Sequence, residues 1–416
     1  MKDILYDAWL TTVLSAGSSE YKKLFLHFSD SYEIYRADEA ELEAAGASAK
    51  LIYAMRNKDL DRAAKITEYC NRQGIELITF FDKRYPQRLA SIQAPPFAFY
   101  VMGKMPDMDY GFNVAVVGTR KMSEYGMKSA YKISYELAAA GARIISGMAL
   151  GIDSVAACAA MEAGGSTLAV LGCGLDRAYP PEHRRLMEVI AQNGAVFSEF
   201  PPGTPPMGTN FPIRNRIISG FCQSILVVEA GERSGALITA KTAIRQGRAV
   251  YAVPGHIDSP LSAGVNSLIQ AGVRIALCSG DILEDAEGLY GRFFNEGAYA
   301  HALGRSAYRD GVLEKYGVAA VPTSSAPTPM RREKPAPKPA SAPPQQPSQK
   351  QADEKPSGLN PDALRVLEHM PKGEAVPLDY FESLEFSPAQ LTRILFGLEL
   401  SGAVRSAPGG AYVRLK

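Results

Sequence analysis

The residues best placed to do chemistry are Gly118, Thr119 and Arg120, directly after the apolar run Val114-Ala-Val-Val117. A β-branched run of this length reads as a buried parallel strand, and the glycine behind it as the tight exit into a helix. Such an exit offers unpaired N–H groups and the positive end of a helix dipole, both of which favour phosphate. A dinucleotide fold would continue G-x-G-x-x-G here. This chain continues Gly-Thr-Arg-Lys-Met-Ser and sets a fixed cation where a cofactor needs close backbone approach. The turn therefore predicts a phosphate site that is not a dinucleotide site.

Further clusters follow later apolar runs. Ser146-Gly147-Met-Ala-Leu-Gly151-Ile-Asp153 carries two glycines suited to close approach of a ligand, with Asp153 or Ser154 expected to cap the next helix. A dinucleotide enzyme would place Asp or Glu near Ser146 for the ribose hydroxyls, and none is there. His183 beside Glu182 has neither a nucleophile nor a second carboxylate spaced with it, which disfavours acid–base chemistry. In Phe211-Pro-Ile-Arg214-Asn215-Arg216 the two arginines stand two apart and point apart on a helix. That spacing predicts one phosphate ligand and one internal ion pair. Phe211 reads either as a stacking face for a base or as a core anchor of its loop. Ser234-Gly235 opens a second helix with an anion-competent N-terminus. Six Arg/Lys, Lys241 among them, stand against two Glu between 211 and 250, a local basic excess in a chain whose net charge is only +1.

These residues need a scaffold, and its pattern is visible. From about Asn113 to Glu287, candidate strands at Val114–Val117, Arg143–Ser146, Thr167–Leu171, Ala195–Phe197, Ser224–Val228, Ala249–Ala252 and Arg274–Leu277 alternate with helical stretches. This predicts an α/β fold with a mainly parallel sheet, helices on both faces, and ligands at the carboxyl ends of its strands. Residues 1–75 read as a small helical module, and Ile75 to Gly103 as strand, loop, strand leading into the main domain at 76–290. Residues 291–357 read as poorly structured, ending in a Pro-rich linker. Residues 358–416 read as three helices and a β-hairpin, a winged helix.

Five scattered cysteines without C-x-x-C argue against disulfides and zinc. The N-terminus lacks a basic n-region and no run of about 18 apolar residues exists, so a cytoplasmic location is expected.

The segments YPQRL, VAVVGTR, SGMALGID, LGCGLDRAYPPEH, FPIRNRIISG, VVEAGERSGALITA and VPGHIDSPLSAGVNSLI, in this order, resemble the DNA-processing protein DprA (Smf) family. The resemblance runs from about Tyr85 to Leu283 and implies an extended Rossmann-like domain that uses no nucleotide cofactor and has no catalytic residues. It implies a homodimer that binds single-stranded DNA, protects incoming strands in natural transformation and loads RecA. Carried onto this chain, the DNA contacts are Gly118, Thr119, Arg120, Ser146, Gly147, Phe211, Arg214, Asn215 and Arg216, with Ser234, Gly235 and Lys241 alongside. Met207-Gly-Thr-Asn210 departs from members that carry a basic residue before the Phe. Dimer and RecA-facing surfaces are expected within 236–275. A phosphoribohydrolase-like enzyme is the competing reading, but Glu229-Ala-Gly-Glu-Arg-Ser-Gly lacks that group's glycine cradle and Glu spacing. A duplex-binding winged helix is disfavoured because Pro388–Ser401 carries only Arg393 as a basic residue, and also Glu399.

Overall fold

The computed structural model describes residues 2–295 and 298, residues 361–384, and 386, 390–391, 394–395, 398–399, 403–407 and 411–415. The chain divides into two compact units, Met1–Ser324 and Ser325–Lys416.

The first unit is built on nine strands: β1 (Ile75–Thr79), β2 (Ala98–Gly103), β3 (Asn113–Val117), β4 (Arg143–Ser146), β5 (Thr167–Leu171), β6 (Ala195–Ser198), β7 (Ser224–Val227), β8 (Ala249–Ala252) and β9 (Arg274–Ile275). Their order across the sheet is β1-β2-β6-β5-β4-β3-β7-β8-β9. From β6 to β9 all neighbours are parallel, while β1 and β2 form an antiparallel ribbon whose inner strand also runs antiparallel to β6. Alternation along β3 sends Val114 and Val116 into one core and Ala115 and Val117 into the other. Helices Glu124–Ala139 and Ile152–Glu162 fill the first core; helices Asn210–Phe221, Gly235–Arg245 and Ala263–Gln270 fill the second. The sheet is thus covered on both faces, as parallel strands require. Strands β4 to β6 step away from β3 in one direction and β7 to β9 in the other. The switch point lies between β3 and β7, where Val114–Val117 pair with Ser224–Val227.

β9 is shorter than the apolar run suggests. The N–H groups of Leu277 and Cys278 donate to Asp281 Oδ2 at 2.6 and 3.0 Å, so the ladder ends where this side-chain acceptor takes over.

The six N-terminal helices are short, and three of them carry side-chain N-caps. Asp38 and Glu41 form a capping box, Asp30 and Ser48 each accept from the third residue on, and Gly74 closes the last helix at φ +63°. This module does not have a core of its own. Tyr21 and Phe25 pack on Phe97 beside β2 (5.5 and 5.6 Å between centroids), and the module's buried residues are continuous with the first core of the sheet.

A polar tie reinforces the junction. Arg216, on helix Asn210–Phe221, places Nη2 2.5 Å from Glu199 Oε1, and the same oxygen accepts the Gly17 N–H at 3.0 Å. Burial pushes the Glu199 carboxyl up, with Arg216 and the Gly17 amide opposing.

In the second unit, helix Pro361–His369 and a three-stranded antiparallel sheet, β10 (Ala375–Val376), β12 (Ala411–Arg414) and β11 (Val404–Ala407) in that order, enclose Val366, Phe381, Leu395 and Val404. The expected helix Leu378–Leu384 is a 3-10 helix. These are the described parts of the winged helix that the sequence predicts for residues 358–416. Part of Pro388–Ser401, and the Pro-rich stretch before Gly358, lie outside the described residues.

Removing the cation from a buried pair strands the carboxylate. Arg216→Ala is therefore expected to destabilise the chain by about 3–5 kcal/mol in chemical denaturation at pH 8. The loss should shrink toward pH 5, because the raised Glu199 pKa lets the abandoned carboxyl take up a proton. An equal loss at both pH values would refute a charge-based role for the pair.

Candidate functional site

The turn after β3 departs from the simple strand-to-helix exit. The next helix begins only at Glu124, capped by Ser123, whose Oγ accepts the Gly126 N–H at 3.0 Å. Between them lies a loop in which several amides are already engaged. Thr119 N–H donates to the Glu229 carbonyl at 2.7 Å, and Lys121 N–H to Thr119 Oγ1 at 3.2 Å. The phosphate-binding donors expected at Gly118-Thr119 are thus partly spent on holding the loop. Gly118 is required by proximity: a Cβ there would lie 2.8 Å from Ile152 Cβ and 3.0 Å from the Glu229 carbonyl. What the loop presents outward is Arg120. It is exposed, makes no ion pair among the described residues, and holds its guanidinium 5.3 Å from the centroid of the Phe211 ring.

The segment after β4 is a buried support. Ser146 Oγ accepts the Met148 N–H at 3.2 Å. Asp153 does not cap its own helix; its Oδ2 reaches back to the amides of Gly147 and Ala149 at 2.9 and 3.4 Å. The helix N-cap is instead Gly151 at φ +82°, a conformation open to glycine, with no room for a Cβ against the Thr119 and Arg120 backbone. Met148 adopts φ +54°, and its carbonyl accepts from His183 Nδ1 at 2.9 Å. His183 is wholly buried and braces this strained turn.

Arg214 is buried as well. From helix Asn210–Phe221 its Nη1 donates to the Gly147 carbonyl at 2.8 Å and to the Val170 carbonyl, and its Nε donates to Asn215 Oδ1 at 3.1 Å. The missing Cβ of Gly147 makes this possible, since one would fall 2.7 Å from Arg214 Cζ. Burial brings the Arg214 pKa down to about 10, with Asp153 opposing and Arg120 adding to the shift. Burial likewise pushes the Asp153 carboxyl up, against Arg214 and its two amide donors.

Above this floor lies a groove of about 480 Å³ at the carboxyl ends of β3 and β7, at the switch point of the sheet. It gathers Gly118, Thr119, Arg120, Phe211, Arg214, Asn215, Ser234 and Gly235 on one surface. Ser234 caps helix Gly235–Arg245 by accepting from Ala236 N–H at 3.3 Å, and nothing stands within 4 Å of where a Gly235 Cβ would be. Ser146 and Gly147 do not line the groove. Two further residues stand apart from it: Arg216 is engaged with Glu199, and Lys241 lies on the exposed face of helix Gly235–Arg245. Arg233 does line it, exposed and without an ion pair among the described residues. Its position directly before Ser234-Gly235 was the available signal for it in the sequence. Asp153 also lines the groove, and no spacing rule foretold its turn back onto Gly147.

Among the described residues no group of three or more His, Cys, Asp or Glu could hold a metal ion, and no helix is long and apolar enough to cross a membrane.

A family model described as DNA recombination-mediator protein A matches residues 76–287, which contain the whole groove. The chain belongs to that family. This family member is 37% identical over 255 residues to the DNA processing protein DprA of Streptococcus pneumoniae, covering 61% of this chain and 88% of the relative. It is 39% identical over 213 residues to DNA processing protein DprA of Bacillus subtilis (51% of this chain, 72% of the relative), and 44% identical over 204 residues to protein Smf of Escherichia coli (49% and 54%). The X-ray structure of DNA processing protein A (DprA) from Streptococcus pneumoniae superposes with a TM-score of 0.58 at 33% identity, covering 67% of this chain and 97% of that one.

Burial holds His183 below the ordinary imidazole pKa, against the Met148 carbonyl and Glu182. The unfolded chain, with a value near 6.5, therefore binds the proton first as pH falls. The stabilising contribution is complete above about pH 6.5 and is lost progressively below it. Thermal melts at pH 7 and pH 5 are expected to show a larger drop in Tm for the wild type than for His183→Asn. A parallel drop in both would remove His183 as the cause.

Proposed function

We propose that this recombination-mediator family member binds single-stranded DNA in the groove at the β3–β7 switch point, without catalysing a reaction. The observation that carries the reading is the pairing of an unneutralised cation with an aromatic ring, Arg120 over Phe211, at the mouth of an open groove. A phosphate supplies the counter-charge that Arg120 lacks, and a base supplies a flat partner for Phe211. Arg233 and the N-terminus of helix Gly235–Arg245 line the same groove and suit a neighbouring phosphate. Stacking and phosphate contact are both indifferent to base identity, so a sequence-tolerant strand is the ligand that fits.

A binding role is also favoured because His183, which with Glu182 formed the acid–base pair weighed in the sequence, is held by the Met148 carbonyl, and the Asp153 carboxylate is engaged by the amides of Gly147 and Ala149. We extend the reading to what resemblance to the DprA family implies: a homodimer in the cytoplasm that protects an incoming strand and hands it to RecA during natural transformation.

Fluorescence anisotropy with a labelled oligonucleotide, single-stranded and then annealed, tests the central claim. Single-stranded DNA is expected to bind more tightly than blunt duplex. Arg120→Ala should weaken strand binding by about 1.5–3 kcal/mol, the loss of a charge-assisted contact. The slope of log K against log salt should become shallower by roughly 0.7 for the phosphate released. A folded Arg120→Ala protein with unchanged affinity and slope would sink the assignment. RecA filament nucleation on the strand, with and without this protein, tests the handover separately.

A further inference from the structure

Glu229, the second residue beyond β7, is 2% exposed and makes no ion pair among the described residues. A buried carboxylate without a cation is costly unless other groups satisfy it. Here its Oε2 accepts the Ser123 N–H at 2.9 Å and its Oε1 accepts the Ser123 hydroxyl at 2.5 Å. Both contacts lie at the cap of helix Glu124–Ala139, sixteen residues long, whose dipole adds to the stabilisation. The first turn is shaped around this side chain: a Cβ on Gly126 would lie 2.9 Å from Glu229 Cγ and closer still to the carboxylate. The same residue's carbonyl holds the Thr119 N–H, one position before Arg120.

In doubly wound sheets, the terminus of the helix after the first parallel strand is where a nucleotide's phosphate docks. We infer that Glu229 is a built-in occupant of that position, a specificity-determining residue that closes the helix terminus to the phosphate of a free nucleotide. Its carboxylate takes the amide and hydroxyl donors a phosphate would use, and its charge repels a second anion. Its backbone meanwhile fixes the loop that carries Arg120 out over Phe211. Anion recognition is thereby moved from the helix terminus to an exposed arginine beside a ring, where a phosphate and its neighbouring base can both be met. The preference for a polymer over a monomer rests on the strand-binding reading above; the exclusion of phosphate does not.

The full chain carrying Arg120→Ala, which silences the groove's own cation, is the background for the test. Thermal melts are run in inorganic phosphate against potassium chloride at matched ionic strength, and again with adenosine monophosphate. The parent is expected to be indifferent to phosphate. Adding Glu229→Ala empties the position, and phosphate should then raise Tm by roughly 2–4 °C, the size of a dipole–anion interaction in a domain of this length. Glu229→Gln fills the same space and should stay indifferent. Glu229→Ser, whose hydroxyl retains a polar group near Ser123, is a second cavity variant in case the alanine variant folds poorly. A cavity variant that folds only in phosphate supports the inference as well. If both cavity variants fold and ignore phosphate, or neither folds at any phosphate concentration, the inference is overturned. Failure of the wild type to bind single-stranded DNA would remove the strand-binding reading and leave the phosphate response to be read on its own.

Discussion

A guanidinium buried in a protein cannot easily shed its proton, so it must be surrounded by acceptors. Arg214 meets this demand with the carbonyls of Gly147 and Val170 and the side chain of Asn215. Those acceptors belong to the loop after β4, to β5 and to its own helix. One side chain therefore fixes three elements that the chain supplies far apart in sequence. Asp153 completes the arrangement from the other side by holding the amides of the loop whose carbonyl Arg214 holds. The floor of the groove is held together by these contacts, which engage Arg214 Nε and Nη1 and Asp153 Oδ2 within the fold.

The same division of labour governs the remaining charges. Arg216 and Glu199 neutralise each other beneath the N-terminal module, and Glu229 is absorbed by a helix terminus. Arg120 and Arg233 are the groove's cations left exposed to solvent. A chain that is almost neutral overall thus offers positive charge locally, because its buried cations are committed within the fold.

Glycines make the close approaches possible. Gly118 lets helix Ile152–Glu162 meet the β3 turn, Gly147 admits the Arg214 guanidinium, and Gly126 admits the Glu229 carboxylate. In a nucleotide-binding fold such glycines bring backbone against a ligand. Here they bring backbone against the protein's own side chains, and the ligand surface is displaced outward.

Much of this was legible in the sequence. The apolar runs and their spacing determined the parallel sheet with helices on both faces, because a strand buried on both sides must be apolar throughout. The spacing of Arg214 and Arg216 already implied different roles, since positions two apart on a helix face apart. The missing acidic residue after β4 and the cation at position 120 turned the turn away from a dinucleotide. What only the tertiary structure decided was which polar groups have internal partners. Periodicity reports which face of an element is buried, but hydrogen bonding depends on loops meeting across the switch point. So Glu229, Asp153 and Arg214 became parts of the scaffold, while Arg120, over the Phe211 ring, was left to face whatever enters the groove.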